Sequence, residues 1–140
     1  MIRIALCSEG GACQKKIAQL IAACNQQGRT AEPLLADTYH SLQALVDNVE
    51  DGDLYDVFLL DLEHPDAREF RLARRLREKL GRAVVLVVTS CGSLPFTAES
   101  AQLKVSRYID RRALDTALPE ALSHAALEAE TQLPYYLLVT

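Results

Sequence analysis

The chain has no apolar run approaching the length of a membrane span, and its opening "MIRIALC" is far too short for a signal-peptide core. No membrane association and a cytoplasmic location are the expectations. A basic surplus is missing too: 140 residues carry a formal charge of −4, which gives no reason to expect nucleic-acid binding by this segment alone. The four cysteines, Cys7, Cys13, Cys24 and Cys91, include no C-x-x-C and have no nearby histidine pair. Metal-type spacing is therefore absent, and reduced thiols are expected in a cytosolic chain. The turn "SEGGAC" lacks G-x-G-x-x-G spacing and carries an acid where a pyrophosphate would sit, which argues against a cofactor- or nucleotide-binding turn. No internal repeat, low-complexity tract or interdomain linker is found.

What is present is an ordinary globular balance, 49% hydrophobic and 24% charged, in a length that can bury a real core. Short apolar runs alternate with helical patterns. "IRIALC" (2–7) reads as a buried strand stopped by "SEGG". Ile17, Leu20, Ile21 and Cys24 then recur at helical spacing until Gly28 closes the helix. "AEPLLAD" is a weaker strand whose Pro33 places it near a strand start or edge. Leu42, Leu45, Val46 and Val49 mark a second helical face. "DVFLLDL" (56–62) and "AVVLVVT" (83–89) are near-continuous apolar strands, separated by the amphipathic stretch "AREFRLARRLREKLG" (67–81). The arginines of that stretch are interspersed with Glu69 and Glu78, as on a solvated helix face. "FTAESAQLK" predicts a short helix, "VSRYID" a strand and "RALDTALPEALSHAALEAE" a final helix. Five such units demand a parallel sheet covered on both faces. The expected fold is a doubly wound, flavodoxin-like α/β sheet of five strands in order 2-1-3-4-5, flanked by five helices. Residues 1–128 form this domain. The remainder, 129–140, reads as a linker or, in "YYLLVT", a strand without a partner.

Ligands of such sheets bind beyond the carboxyl ends of the strands, where strand order reverses. Ser8 and Glu9, Asp61, Thr89 and Ser90, and Asp110 to Arg112 fall there. Glu9 and Asp61 should share a crevice, and like charges at short range raise each other's pKa unless a cation intervenes. Magnesium suits a site of one or two carboxylates, waters and a phosphoryl oxygen. Cys7, Cys13 and Cys91 map near the same edge, where a thiol beside a helix amino terminus can be activated. A cysteine inside a buried strand usually acts as a small hydrophobe instead.

The pattern resembles the receiver domain of bacterial two-component response regulators, the CheY-like family, over residues 2 to about 128. "VFLLDLEHPD" resembles the family's strand-D-x-x-M-P-G segment, "VVLVVTS" its hydroxyl-bearing strand end, and "RYIDRR" its Y-x-x-K-P segment. The opening strand and "LLDLEHP" look closest to receivers attached to LytTR-type DNA-binding domains, and "PYYLLVT" would suit the first strand of such an effector domain. The resemblance implies that Asp61 accepts a phosphoryl group from a sensor histidine kinase with magnesium present. It implies that Thr89 contacts that group, that Arg111 stands where the family has lysine, and that Tyr108 is the aromatic switch. Glu9, Asp61 and the backbone carbonyl of Glu63 would be the metal contacts. It further implies control of a DNA-binding effector absent from this chain, no enzymatic activity beyond self-phosphorylation and dephosphorylation, and a homodimer through the fourth helix, fifth strand and fifth helix (about 95–128).

The sequence also departs from that pattern. The usual acid pair is Ser8–Glu9, so one metal-site charge is gone and the other sits on a longer arm. Arginine replaces lysine at 111, Arg112 replaces the following proline, Asp66 replaces a glycine, and His64 stands where methionine is usual. Such a partly degenerate acidic pocket admits an alternative: a pseudo-receiver that acts as a phosphorylation-independent interaction or dimerisation module.

Overall fold

The computed structural model describes residues 1–62, 66–90 and 98–139, with 98–100 and 131–139 described by their backbone alone. Five parallel strands are joined through helices: β1 Ile2–Cys7, β2 Leu34–Tyr39, β3 Val57–Asp61, β4 Val84–Thr89 and β5 Arg107–Asp110. The sheet order is β2-β1-β3-β4-β5, the expected doubly wound arrangement. The order reverses between β1 and β3, which pair in the register Cys7 to Leu60.

Near-continuous apolar strands are required because both faces of the sheet are covered. Ile2, Ile4 and Leu6 of β1, Val57 and Leu59 of β3, and Val84, Leu86 and Val88 of β4 belong to one buried cluster. That cluster is closed by α1 (Gly11–Gln27) and α5 (Leu114–Val139). The alternate residues Ala5, Cys7, Phe58, Leu60, Val85 and Val87 enter the opposite cluster, beneath α2 (Leu42–Glu50), α3 (Ala67–Lys79) and α4 (Ala98–Leu103). A strand buried on both faces cannot alternate with polar residues, and these do not.

Local signals set the helix ends. Gly28 takes φ 64, the left-handed conformation that glycine adopts without steric cost, and its N–H donates to Asn25. The Ser41 side chain accepts from the Ala44 N–H at 3.1 Å, starting α2. Asp66 and Glu69 form a reciprocal capping box that starts α3 immediately after the carboxyl edge of the sheet. Arg75 of α3 donates to both carboxylate oxygens of Glu50 and ties α3 to the end of α2.

Arg77, half-buried on α3, is held by backbone carbonyls instead. Its guanidinium donates to the carbonyls of Leu103 (3.0 Å), Gly81 (3.0 Å), Ala83 (2.7 Å) and Lys104 (3.1 Å). It thereby joins the end of α4 to the approach to β4. Lys104 adopts φ 53 there, a conformation uncommon for a side chain that is not glycine.

The tail differs from the sequence-based expectation. A linker or, in "YYLLVT", an unpartnered strand was expected, but α5 runs unbroken from Leu114 to Val139, through position 128 and into that segment. Ala121, Leu122, Ala125, Ala126 and Ala129 anchor the helix in the first core cluster. A strand needs an edge to accept and donate its ladder bonds, whereas a continuing helix pairs its own backbone groups.

Candidate functional site at the carboxyl edge of the sheet

Parallel pairing between β1 and β3 brings their carboxyl ends level. Ser8 follows β1, and Asp61 is the last residue of β3. The Ser8 hydroxyl, buried with 1% exposure, donates to Asp61 Oδ2 at 2.9 Å. It also lies 3.3 Å from the Gly10 carbonyl. Arg111 opens the 3₁₀ turn that follows β5, and its Nη2 donates to Asp61 Oδ1 in an ion pair. The Asp61 side chain is only 6% exposed, against 31% for Arg111. A carboxylate this withdrawn from water needs donors of its own, and the chain supplies one to each oxygen.

Asp61 and Arg111 line a crevice of about 320 Å³, together with Cys7, Glu9, Gly10, Leu42, Leu62 and Glu69. Glu9 is exposed on its wall. Glu69 is turned partly toward the start of α3, where its Oε1 accepts from the Asp66 N–H at 3.4 Å. Thr89 is fully buried at the end of β4, one position beyond Val88, the register partner of Asp61. Tyr108 is half-buried on β5 and packs against the second core cluster. The backbone carbonyl of Glu63, expected as a metal contact, lies outside the described residues, as do His64 and Cys91.

Asp61, Ser8 and Arg111 thus stand in direct contact, with Glu9 on the same crevice and Thr89 on the adjacent strand end. From sequence, Ser8 is only a missing acid; in the fold it is a hydrogen-bond donor. Its place one step past an apolar strand, level with Asp61, was the available signal. Glu69 was read only as an exposed helix charge, although its first-turn position turns it toward this edge. The redox reading of the cysteines loses ground at Cys7. Burial first, then the charges of Glu9, Asp61 and Glu69, push that thiol up to about 12 from an ordinary 9.0, the opposite of activation.

The donor set can be tested against the magnesium that the resemblance implies. Among the described residues no group of three histidine, cysteine, aspartate or glutamate side chains could hold a metal ion. Both Asp61 oxygens face donors, one of them a cation. The described residues do not fit the metal.

No protein-family model matches the chain. No curated protein matches it either. Solved structures do. The N-terminal domain of a response regulator/sensory box/GGDEF protein from Carboxydothermus hydrogenoformans superposes with a TM-score of 0.75 at 15% identity, covering 94% of this chain and 98% of that one. A CheY-like response regulator receiver domain protein from Methanospirillum hungatei gives 0.71 at 15% identity over 94% and 98%. A protein of Burkholderia pseudomallei named in connection with pilus assembly gives 0.66 at 19% identity over 91% of each chain. The fold is that of response-regulator receiver domains. At these identities the likeness concerns the fold alone. Among the described residues no helix is long and apolar enough to cross a membrane.

Proposed function

We propose that this chain is the receiver module of a two-component regulator and accepts a phosphoryl group on Asp61 from a sensor histidine kinase. The observation that carries this reading is the nearly buried Asp61 carboxylate at the end of β3, with a hydroxyl on one oxygen and a guanidinium on the other. A carboxylate oxygen attacks phosphorus, the phosphorus–nitrogen bond of the donor phosphohistidine breaks, and the imidazole leaves, taking up a proton. The product adds a dianion that Arg111 can pair with as a planar, multidentate donor. In this reading Thr89, at the end of the adjacent strand, contacts the same group. The charge change biases the face of α4, β5 and α5, with Tyr108 as the aromatic that follows it. That face is the proposed surface for self-association and for control of a DNA-binding effector, of the LytTR type by resemblance, outside this chain.

Intact-mass measurement after treatment with acetyl phosphate tests the reading. A single phosphoryl adduct in the wild type that is absent from Asp61→Asn supports it. An adduct that persists in Asp61→Asn, or none at any donor concentration, overturns it. The second outcome would favour the pseudo-receiver.

A further inference from the structure

Receiver-type acidic pockets are expected to hold a divalent cation, and the geometry here points elsewhere. We infer that Arg111 takes the place of that cation, so that the Asp61 carboxylate is neutralised by the chain itself and does not bind magnesium. The inference concerns the same crevice as the proposed function.

Three observations carry it. Magnesium demands a near-octahedral set of oxygens and dehydrates reluctantly, so it needs carboxylate oxygens open to it. Asp61 offers neither, since Oδ1 accepts from the Arg111 guanidinium and Oδ2 from the Ser8 hydroxyl. A dication arriving there would meet a fixed like charge in a poorly solvated place. The neighbouring carboxylates do not supply the missing ligands. Glu9 is exposed on the crevice wall, and Glu69 accepts from the N–H of Asp66, the residue that caps α3. Position 8, level with Asp61, carries a hydroxyl that donates rather than an acid that could ligate. Arginine also suits the role that the metal leaves vacant, because its charge is permanent and its fork matches oxyanions.

Magnesium titration followed by isothermal calorimetry and by the carboxyl-carbon NMR resonance of Asp61 tests this without any phosphodonor. A failure here therefore leaves the labelling of Asp61 to be judged by itself. The wild type should show no saturable binding at millimolar magnesium and an unmoved Asp61 resonance. Ser8→Asp/Arg111→Ala, which adds an acid and removes the cation, should gain saturable binding, roughly tenfold or more tighter than the wild type. Saturable binding by the wild type with a shifted Asp61 resonance overturns the inference. So does a folded double variant that still ignores the metal, because Arg111 and Ser8 would then not be the cause. The wild-type resonance needs no substitution, so a variant that fails to fold does not shelter the idea.

Discussion

Two arginines are drawn into this molecule at opposite ends of the sheet, and they meet different partners. Arg77, at the amino ends of β4 and β5, donates to four backbone carbonyls. Arg111, at the carboxyl end, donates to a carboxylate. Burial lowers the pKa of Arg77 from its ordinary value, partly opposed by Glu128, and no acid neutralises it at close range among its hydrogen-bond partners. Its acceptors are backbone groups whose chemistry does not change, so its work is to fix the end of α4 against the approach to β4. The partner of Arg111 is a single side-chain carboxylate, and under the proposed phosphorylation of Asp61 the guanidinium would meet the added charge. The same residue type is a staple at one end and a counter-ion at the other. The difference lies in whether the acceptor is a backbone carbonyl or a charged side chain.

Removing the staple should have the largest effect on stability. Arg77→Ala deletes four charge-assisted bonds and leaves the Ala83 and Leu103 carbonyls short of a donor, at a cost of about 3 kcal/mol. Urea unfolding should report the loss, and hydrogen exchange should rise around 103–106. Arg77→Lys should recover little, since a compact ammonium does not reproduce the fork. An unchanged urea midpoint would reduce these contacts to surface decoration.

Arg111→Ala comes next, at about 2 kcal/mol, because it strands a nearly buried carboxylate while the lost guanidinium was itself partly solvated. The comparison predicts a rescue that Arg77 does not permit. Arg111→Ala/Asp61→Asn should be more stable than Arg111→Ala alone, because the partner's charge is removed as well. Ser8→Ala should cost less, about 1 kcal/mol, since Arg111 still holds the other Asp61 oxygen. If the double variant were no better than Arg111→Ala alone, Asp61 would not be what Arg111 compensates.

The two ends were not equally legible in the sequence. Apolar runs buried on both faces, the Gly28 helix stop and the placing of Asp61 at a strand end follow from periodicity and from the rules of parallel sheets. The strand order and the five flanking helices follow from the same alternation. Ser8, Asp61 and Arg111 were placed on one edge by that topology, but the direction of each hydrogen bond was not, since a serine in an acid's place reads only as a loss. Arg77 was invisible. It is one of several arginines on an amphipathic helix, and its acceptors are backbone carbonyls up to 27 residues away that any sequence would supply. The helical tail was misread because "YYLLVT" has strand composition, and composition does not reveal whether an edge is available to pair with.

The smallest effect, nil at neutral pH, concerns the thiol beneath the crevice. Cys7 is 4% exposed, and its pKa is pushed up to about 12, by burial first and by Glu9, Asp61 and Glu69 after it. The fold therefore favours the neutral thiol over the thiolate. A group whose folded pKa lies above its unfolded value contributes full stability below the unfolded pKa, here near 9.0, and loses it as pH rises toward about 12. Urea midpoints of the wild type and Cys7→Ala should run parallel from pH 6 to pH 8 and converge above pH 9, the wild type losing more. Native-state alkylation at pH 8 should modify the partly exposed Cys13 well before Cys7, read by peptide mass mapping. Equal labelling of the two, or midpoints that stay parallel into alkali, would mean that the crevice floor is wetter and less acidic than its geometry requires. The contrast between a carboxylate-bound end and a carbonyl-bound end would then have to be drawn at Arg111 alone.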